Sequence, residues 1–125
     1  DVVLRPKEKS DLNWKIDPKG IYHVLKDLEI YNKPAYIMEN GLADAKDEKR
    51  GKFISDHLEW IHRAISEGVD VRGYFHWSLL DNFEWDKGFD PRFGLIEVDY
   101  KTLKRIPRPS SKKYAEICKN NGIKI

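Results

Sequence analysis

Two glutamates follow apolar segments of this sequence, at places where a carboxylate could do chemistry. Glu39 comes directly after the apolar run at residues 35–38, and Glu84 lies beyond a second apolar run that ends at Trp77. Burying a carboxylate is costly unless it is paired or used. Such a glutamate is therefore either a catalytic group or a helix cap or salt-bridge partner, and its position alone fits both.

Aromatic side chains concentrate around the second of these glutamates. Eight of the 15 aromatic residues lie between positions 74 and 100. Flat apolar faces among Glu, Asp and Asn suit a pyranose ring, which offers C–H faces for stacking and hydroxyls for hydrogen bonds. We expect Trp77 and Trp85 to contact a ligand, whereas packing is the better explanation for Tyr74, Phe75 and Tyr100.

The elements that must position these groups alternate between helix and strand. Asp17-Pro18 is typical of a helix start. The apolar residues that follow it at helical spacing are Ile21, Val24, Leu25, Leu28 and Tyr31. The later elements predicted are a strand at 35–38 buried on both faces, a helix at about 47–67, a strand at 69–77, a short strand at 95–100 and a helix at about 110–121. This order indicates βαβ units with parallel strands.

Two parallel strands make an incomplete sheet. Parallel sheets are stable when both faces are covered and several strands pair. A closed (β/α)₈ barrel has eight strands and typically about 250 residues, whereas this chain has 125. We therefore expect an α/β fold in which residues 1–125 form one segment of a TIM barrel. Its strand edges would be exposed, so it would fold only with the remainder of the barrel or by self-association.

Composition excludes several functional classes. The chain has 23 Lys and Arg against 21 Asp and Glu, so neither nucleic acid nor an anionic membrane is an expected partner. A single Cys118 excludes an internal disulfide, and the five-residue spacing of His57 and His62 fits no metal motif. We expect no cofactor, a cytoplasmic location and, from the absence of Gln, a heat-adapted source.

Two segments resemble motifs of the family 1 glycoside hydrolases, the β-glucosidase and β-galactosidase group. Residues 36–41, Tyr-Ile-Met-Glu-Asn-Gly, resemble the nucleophile motif, with Met38 where Thr is usual. Residues 73–85, Gly-Tyr-Phe-His-Trp-Ser-Leu-Leu-Asp-Asn-Phe-Glu-Trp, are similar to the sugar-binding loop. The resemblance continues, in family order and spacing, through Asp11, Trp14, Pro18, Gly88-Phe89, residues 92–95, residues 98–100, Arg108-Pro109 and Ser111.

This resemblance implies the C-terminal part of a (β/α)₈ barrel, about strands 7 and 8 with their flanking helices, in a retaining β-glycosidase. Glu39 would be the nucleophile that attacks the anomeric carbon, with Asn40 beside it. The peptide bond between Trp77 and Ser78 is expected to be cis. The substrate-binding residues implied by the resemblance are Asn40, Trp77, Glu84, Trp85 and Phe93.

The resemblance also implies how the sugar is held. Trp77 would be the platform under the ring, and Phe93 would line the same wall. Glu84 would accept hydrogen bonds from two hydroxyls, and the indole N–H of Trp85 would donate to a neighbouring one. A carboxylate at Glu84 repels phosphate, and the 6-phospho-glycosidases of the family lack it. An unphosphorylated β-glucoside, β-galactoside or fucoside is therefore the expected substrate.

One catalytic group is missing from the sequence. Retaining hydrolysis needs a second carboxyl about 5–5.5 Å from the nucleophile. In this family it comes from an Asn-Glu-Pro motif on the fourth strand, and the 125 residues contain no such motif. The chain alone should therefore be catalytically silent, and the N-terminal remainder of the barrel is its expected partner. The alternative is a non-catalytic, self-associating fragment that binds sugar weakly at most.

Overall fold

A computed structural model describes residues 8–123 as helices and strands in alternation. The helices are α1 (Pro18–Leu28), α2 (Arg50–Ser66) and α3 (Pro109–Asn120). The strands are β1 (Ala35–Gly41), β2 (Val71–Trp77), β3 (Ile96–Val98) and β4 (Arg105–Pro107). The predicted order is confirmed, and β4 is an additional strand.

The strands β1 and β2 pair in parallel, as the βαβ pattern predicted. Tyr36 is the partner of Gly73, and Gly41 is the partner of Trp77 at the carboxyl ends of both strands. The helix α2 connects the two strands and packs with α1 on one face of the sheet. The core between these layers consists of Leu25, Ile61, Ala64 and Val69.

Only one face of this sheet is covered by residues 8–123, so the prediction of a first strand buried on both faces is wrong for this chain. Ile37 packs against the core under the helices. On the opposite face Tyr36 and Met38 are 54% and 65% exposed, and Phe75 of β2 is 52% exposed. An apolar run predicts that a strand can be buried, but it does not supply the second covering layer.

The apolar stripe of α1 is also only partly buried. Leu25 is in the core and Ile21 packs against it, whereas Val24, Leu28 and Tyr31 are exposed. Helical spacing places residues on one side of a helix, but the neighbouring elements decide how many of them are covered.

The segment between β2 and α3 folds back over the carboxyl end of β2. Its short strand β3 pairs antiparallel with β4. The N–H of Leu95 donates to the carbonyl of Ser78 at 2.9 Å, and Leu80 forms a bridge with Ile96. These contacts fold the long loop back onto its own start, and the N–H of Asp44, three residues after β1, donates to the carbonyl of Arg92 at 3.0 Å, which holds the loop beside the end of β1. None of the helices in residues 8–123 is long and apolar enough to cross a membrane.

Candidate active site

One cleft collects side chains from the ends of β1 and β2 and from the loop after β2. Its volume is about 520 Å³. All six residues that the sequence analysis selected line it, namely Glu39, Asn40, Trp77, Glu84, Trp85 and Phe93. The other lining residues are Trp14, Gly41, Asn82 and Phe83. Active sites of parallel α/β folds lie at this end of the strands.

An irregularity in β1 directs Glu39 into the cleft. The register between β1 and β2 shifts between Ile37 and Asn40, so the regular alternation of side chains is interrupted at Met38 and Glu39. Such bulges change the direction of a side chain and are frequent beside active sites. Glu39 is exposed and faces the cleft.

The side chain of Asn40 is oriented by a tyrosine of the neighbouring strand. The hydroxyl of Tyr74 donates to Asn40 Oδ1 at 2.9 Å, and the carbonyl of Tyr74 accepts from the hydroxyl of Tyr114 at 3.1 Å. Burial raises the pKa of Tyr74, so its hydroxyl keeps the proton that it donates. Tyr74 was expected to have a packing role, and here it also positions a residue that lines the cleft.

The floor of the cleft depends on close approach of the two strands. A Cβ at Gly41 would lie 1.7 Å from the carbonyl oxygen of Trp77, so only glycine fits there. The peptide bond between Trp77 and Ser78 is cis, which confirms the expectation from the resemblance. The N–H of Ser78 donates to the carbonyl of Phe93 at 3.2 Å, and this contact brings the buried ring of Phe93 to the wall of the cleft.

A tight turn presents Glu84 and Trp85. The N–H of Glu84 donates to the carbonyl of Gly88 at 2.7 Å, and the N–H of Lys87 donates to the carbonyl of Glu84 at 2.9 Å. Asn82 Nδ2 donates to Glu84 Oε2 at 2.9 Å. Trp85, in a left-handed conformation with φ of 47°, is 81% exposed at the rim. The turn therefore holds a carboxylate and an indole side by side.

A buried carboxylate anchors this loop to the body of the protein. Asp81 accepts two hydrogen bonds from Arg108, at 3.0 and 3.1 Å, and one from Arg92 at 3.1 Å. It also accepts from the backbone N–H groups of Gly94 and Val98. Burial by itself would raise the pKa of Asp81, but the hydrogen bonds from Arg108 and these two N–H groups outweigh it and hold the pKa below its usual value.

Four residues of the site and its support had no role predicted from the sequence, namely Trp14, Asn82, Asp81 and Arg108. Trp14 lines the cleft, with its ring centroid 6.2 Å from that of Phe93. No local pattern could reveal the Asp81–Arg108 pair, because its members are 27 residues apart. For Asn82 the available signal was its position two residues before Glu84.

Two of the four histidines, His57 and His76, pack inside the protein. His57 is buried, with Nδ1 2.7 Å from the carbonyl oxygen of Phe53. For His76, burial and then the charge of Arg50 lower the pKa to about 4, so the ring is neutral at neutral pH. Among residues 8–123, no three His, Cys, Asp or Glu side chains are grouped so that they could hold a metal ion.

Comparison with known proteins finds similar chains among β-galactosidases, β-glycosidases and β-glucosidases. A β-galactosidase of Sulfolobus acidocaldarius is 51% identical over 115 residues, which are 91% of this chain and 23% of that protein. The structure of a β-glycosidase from Pyrococcus horikoshii matches with a TM-score of 0.93 and 49% identity over 100% of this chain and 30% of that one. A Thermotoga maritima β-glucosidase in complex with glucoimidazole matches with a TM-score of 0.91 and 43% identity, over 98% of this chain and 30% of that chain.

These matches define both the family and the extent of the likeness. The chain spans between 22% and 30% of the length of the relatives it matches, and it corresponds to a piece of their TIM barrel. The sources of the three proteins named above are thermophilic, in agreement with the composition. The sequence profile of Glycosyl hydrolase family 1 matches residues 3–123. The chain therefore belongs to glycosyl hydrolase family 1.

Proposed function

We propose that this chain contributes the nucleophile and part of the sugar-binding site of a retaining β-glycosidase. The observation that carries the proposal is the single cleft in which Glu39 lies with Trp77, Glu84 and Trp85. These four side chains come from two strand ends and one loop, and together they offer a carboxylate, two apolar faces and a hydrogen-bond acceptor. The family membership and the glucoimidazole complex of the Thermotoga maritima relative support a carbohydrate substrate.

The proposed role of Glu39 is nucleophilic. Its carboxylate attacks the anomeric carbon, the bond to the leaving oxygen breaks as that oxygen takes a proton from the acid/base carboxyl of the barrel remainder, and a glycosyl ester forms on Glu39. Water then cleaves that ester and returns the carboxylate to its ionised form. Asn40, held by Tyr74, lies next to Glu39 in the chain and lines the same cleft.

The proposed sugar site uses stacking and an ionised acceptor. The indole of Trp77 forms a platform for the C–H face of a pyranose, and Phe93 closes the wall beside it. Glu84 accepts hydrogen bonds from two hydroxyls, and Trp85 donates its N–H at the rim. Because the Glu84 carboxylate repels phosphate, we propose an unphosphorylated β-glucoside, β-galactoside or fucoside as the substrate.

The barrel that completes this site would come from another part of the enzyme. We assign β1 and β2 to strands 7 and 8 and residues 1–125 to one C-terminal segment of the barrel domain. The exposed face formed by Tyr36, Met38 and Phe75 would then face the barrel interior. The acid/base carboxyl, about 5–5.5 Å from Glu39, would be supplied by the N-terminal remainder. Alone, the chain would therefore be inactive.

A complementation assay tests this proposal. The chain is co-expressed with the part of the Sulfolobus acidocaldarius β-galactosidase that precedes the matched region, and hydrolysis of an aryl β-glucoside is measured. We expect activity only when both polypeptides are present. Glu39→Gln should abolish it, whereas Glu116→Gln, the same change on an exposed position of α3, should not.

Two results would contradict the proposal. Activity of the 125-residue chain alone, lost in Glu39→Gln, would show that no second polypeptide is needed. A co-purified complex that binds no glycoside and hydrolyses none would refute the catalytic role. Self-association of the chain in sedimentation experiments, together with failed complementation, would instead favour a non-catalytic fragment that associates through the open edges of β1 and β2.

A further inference from the structure

We propose that Asn82 is a positioning residue that sets the orientation of Glu84 for sugar recognition and ties it to the end of β2. This role rests on the proposed function, in which Glu84 accepts hydrogen bonds from two sugar hydroxyls. It gives Asn82 a task in substrate selectivity, which its place inside an aromatic loop motif does not reveal.

The contacts of Asn82 reach both elements that form the sugar site. Its Nδ2 donates to Glu84 Oε2 at 2.9 Å, and its Oδ1 lies 3.1 Å from the hydroxyl oxygen of Ser78. The Ser78 hydroxyl has one proton, which it shares between Asn82 Oδ1 and the carbonyl of Leu80 at 2.6 Å. Ser78 directly follows Trp77, so one amide side chain connects the proposed sugar platform with the proposed hydroxyl acceptor.

Only one orientation of the Asn82 amide fits this environment. An ionised carboxylate accepts hydrogen bonds and donates none, so Glu84 requires the NH₂ end of the amide. The reversed amide would place Oδ1 against Glu84 Oε2, two acceptors with no proton between them. A charge-assisted hydrogen bond of this kind is about twice as strong as one between neutral groups.

The backbone on both sides of Asn82 is fixed. The preceding residue is Asp81, whose side chain is completely buried among the donors of Arg108, Arg92, Gly94 and Val98. The carbonyl of Asn82 accepts from the hydroxyl of Tyr100 at 3.4 Å. Glu84 itself is held in its turn by Gly88. A rigid support of this kind lets a single hydrogen bond define the plane of a carboxylate.

The consequence is selectivity for hydroxyl donors. A carboxylate has about four lone-pair positions. Asn82 occupies one of them on Oε2, which leaves positions for two hydroxyls on neighbouring carbons of the sugar. Without Asn82 the carboxylate can rotate, and the energy that each of these hydroxyls contributes to binding should fall.

The test compares sugars that lack single hydroxyls. In the complemented barrel, kcat/KM is measured for an aryl β-glycoside and its monodeoxy analogues. The same measurement on Glu84→Ala first identifies which hydroxyls donate hydrogen bonds to Glu84. Asn82→Asp keeps the shape and the acceptor toward Ser78 but replaces the donor with a second negative group. At neutral pH we expect about a 10-fold loss of discrimination at the Glu84-dependent hydroxyls, the size of one hydrogen bond to a charged group.

The variants separate positioning from general damage to the fold. At the hydroxyls that Glu84 does not serve, discrimination by Asn82→Asp should change less than about twofold. Asn82→Ala should show the same selective pattern, and adding it to Glu84→Ala should cause no further loss at the Glu84-dependent hydroxyls. Asn120→Asp, the same chemical change at an exposed position, should leave all ratios intact. An equal loss at every hydroxyl in Asn82→Asp and Asn82→Ala would overturn the proposal.

A second readout does not depend on activity. In the complemented barrel, with only the 125-residue chain isotopically labelled, the side-chain amide NMR signals of Asn82 should shift when Glu84→Ala removes the acceptor, and should not shift in Glu116→Ala. An inactive barrel with this shift would refute the proposed function but keep the hydrogen bond. Asn82 signals that do not change in Glu84→Ala would refute the positioning role even if the barrel is active.

Discussion

The two faces of the β1–β2 sheet differ in burial: one packs against helices, and the other is exposed. The outer face is covered by α1 and α2, with Ile61 and Ala64 buried between helix and sheet. The inner face exposes Tyr36 and Met38, yet its carboxyl end presents Glu39 and Trp77 to the cleft. The chain therefore carries its own packing on one side and its proposed chemistry on the other.

This difference indicates that stability and activity depend on separate residues. Substitutions on the outer face should change the free energy of unfolding of the chain. Substitutions at the inner face should change catalysis or assembly of the barrel and leave the chain's own unfolding nearly unchanged. Four predictions test that separation.

The largest effect is expected at the inner face. Glu39→Gln removes the attacking carboxylate and should lower kcat of the complemented barrel by about 10⁴-fold or more. Because Glu39 is exposed and lies outside the core, urea unfolding of the chain should not change. A variant that keeps most of its activity would exclude the nucleophilic role.

The next largest effect is expected at Asp81, the buried carboxylate that anchors the loop. Asp81→Asn removes the closer, fully buried carboxylate partner of Arg108 and leaves it only the partly exposed carboxylate of Glu97 at 3.7 Å, so it should reduce the free energy of unfolding by about 3–5 kcal/mol. Asp86→Asn changes the same group in the same loop, where the side chain is 79% exposed beside Lys87, and should have no measurable effect. Equal urea midpoints for the two variants would show that Asp81 does not anchor the loop.

A direct comparison of the two faces uses one truncation on each. Ile61→Ala creates a cavity in the outer core and should cost about 2–5 kcal/mol in urea denaturation at a fixed protein concentration. Met38→Ala removes a side chain that residues 8–123 leave 65% exposed, so in a chain whose inner face no second polypeptide covers it should change the unfolding free energy by less than about 0.5 kcal/mol. Similar losses in both variants would mean that the inner face is covered in solution, as in a self-associated chain.

The smallest effect depends on pH. Burial and Arg50 lower the pKa of His76 to about 4, whereas an unfolded histidine titrates near its ordinary value of 6.5. The unfolded state therefore binds more protons between these values, and stability is lost as pH falls from about 6.5 toward 4, by up to about 3 kcal/mol from this group. His76→Gln should make the urea midpoint less dependent on pH over this range. His62→Gln, at an exposed position of α2, should not, and identical pH profiles would contradict the burial of His76.

Much of the architecture could be predicted because it depends on local pattern. The alternation of apolar runs with helical stripes indicated parallel strands, and the carboxyl-end rule placed Glu39 and the loop that carries Glu84 at one end of the sheet. The cis bond after Trp77 came from the resemblance, since no local pattern marks a cis peptide outside proline.

The remainder depended on contacts that are distant in sequence. The pairing of β4 with β3 lies in a basic, proline-containing segment with a weak strand pattern. The burial of Arg108 becomes evident only when Asp81 is next to it. Val24 and Met38 are exposed because no neighbouring element among residues 8–123 covers them. Periodicity in the sequence does not predict which surfaces are covered.

The site of covalent labelling tests the nucleophilic role of Glu39 most directly. The complemented barrel is treated with a 2-deoxy-2-fluoro aryl β-glycoside, which slows hydrolysis of the glycosyl ester, and its peptides are sequenced by mass spectrometry. If Glu39 is the nucleophile, one sugar will be attached to Glu39, and neither the chain alone nor the Glu39→Gln barrel will be labelled. An adduct on a different residue, or an unlabelled Glu39 in an active barrel, would contradict that role.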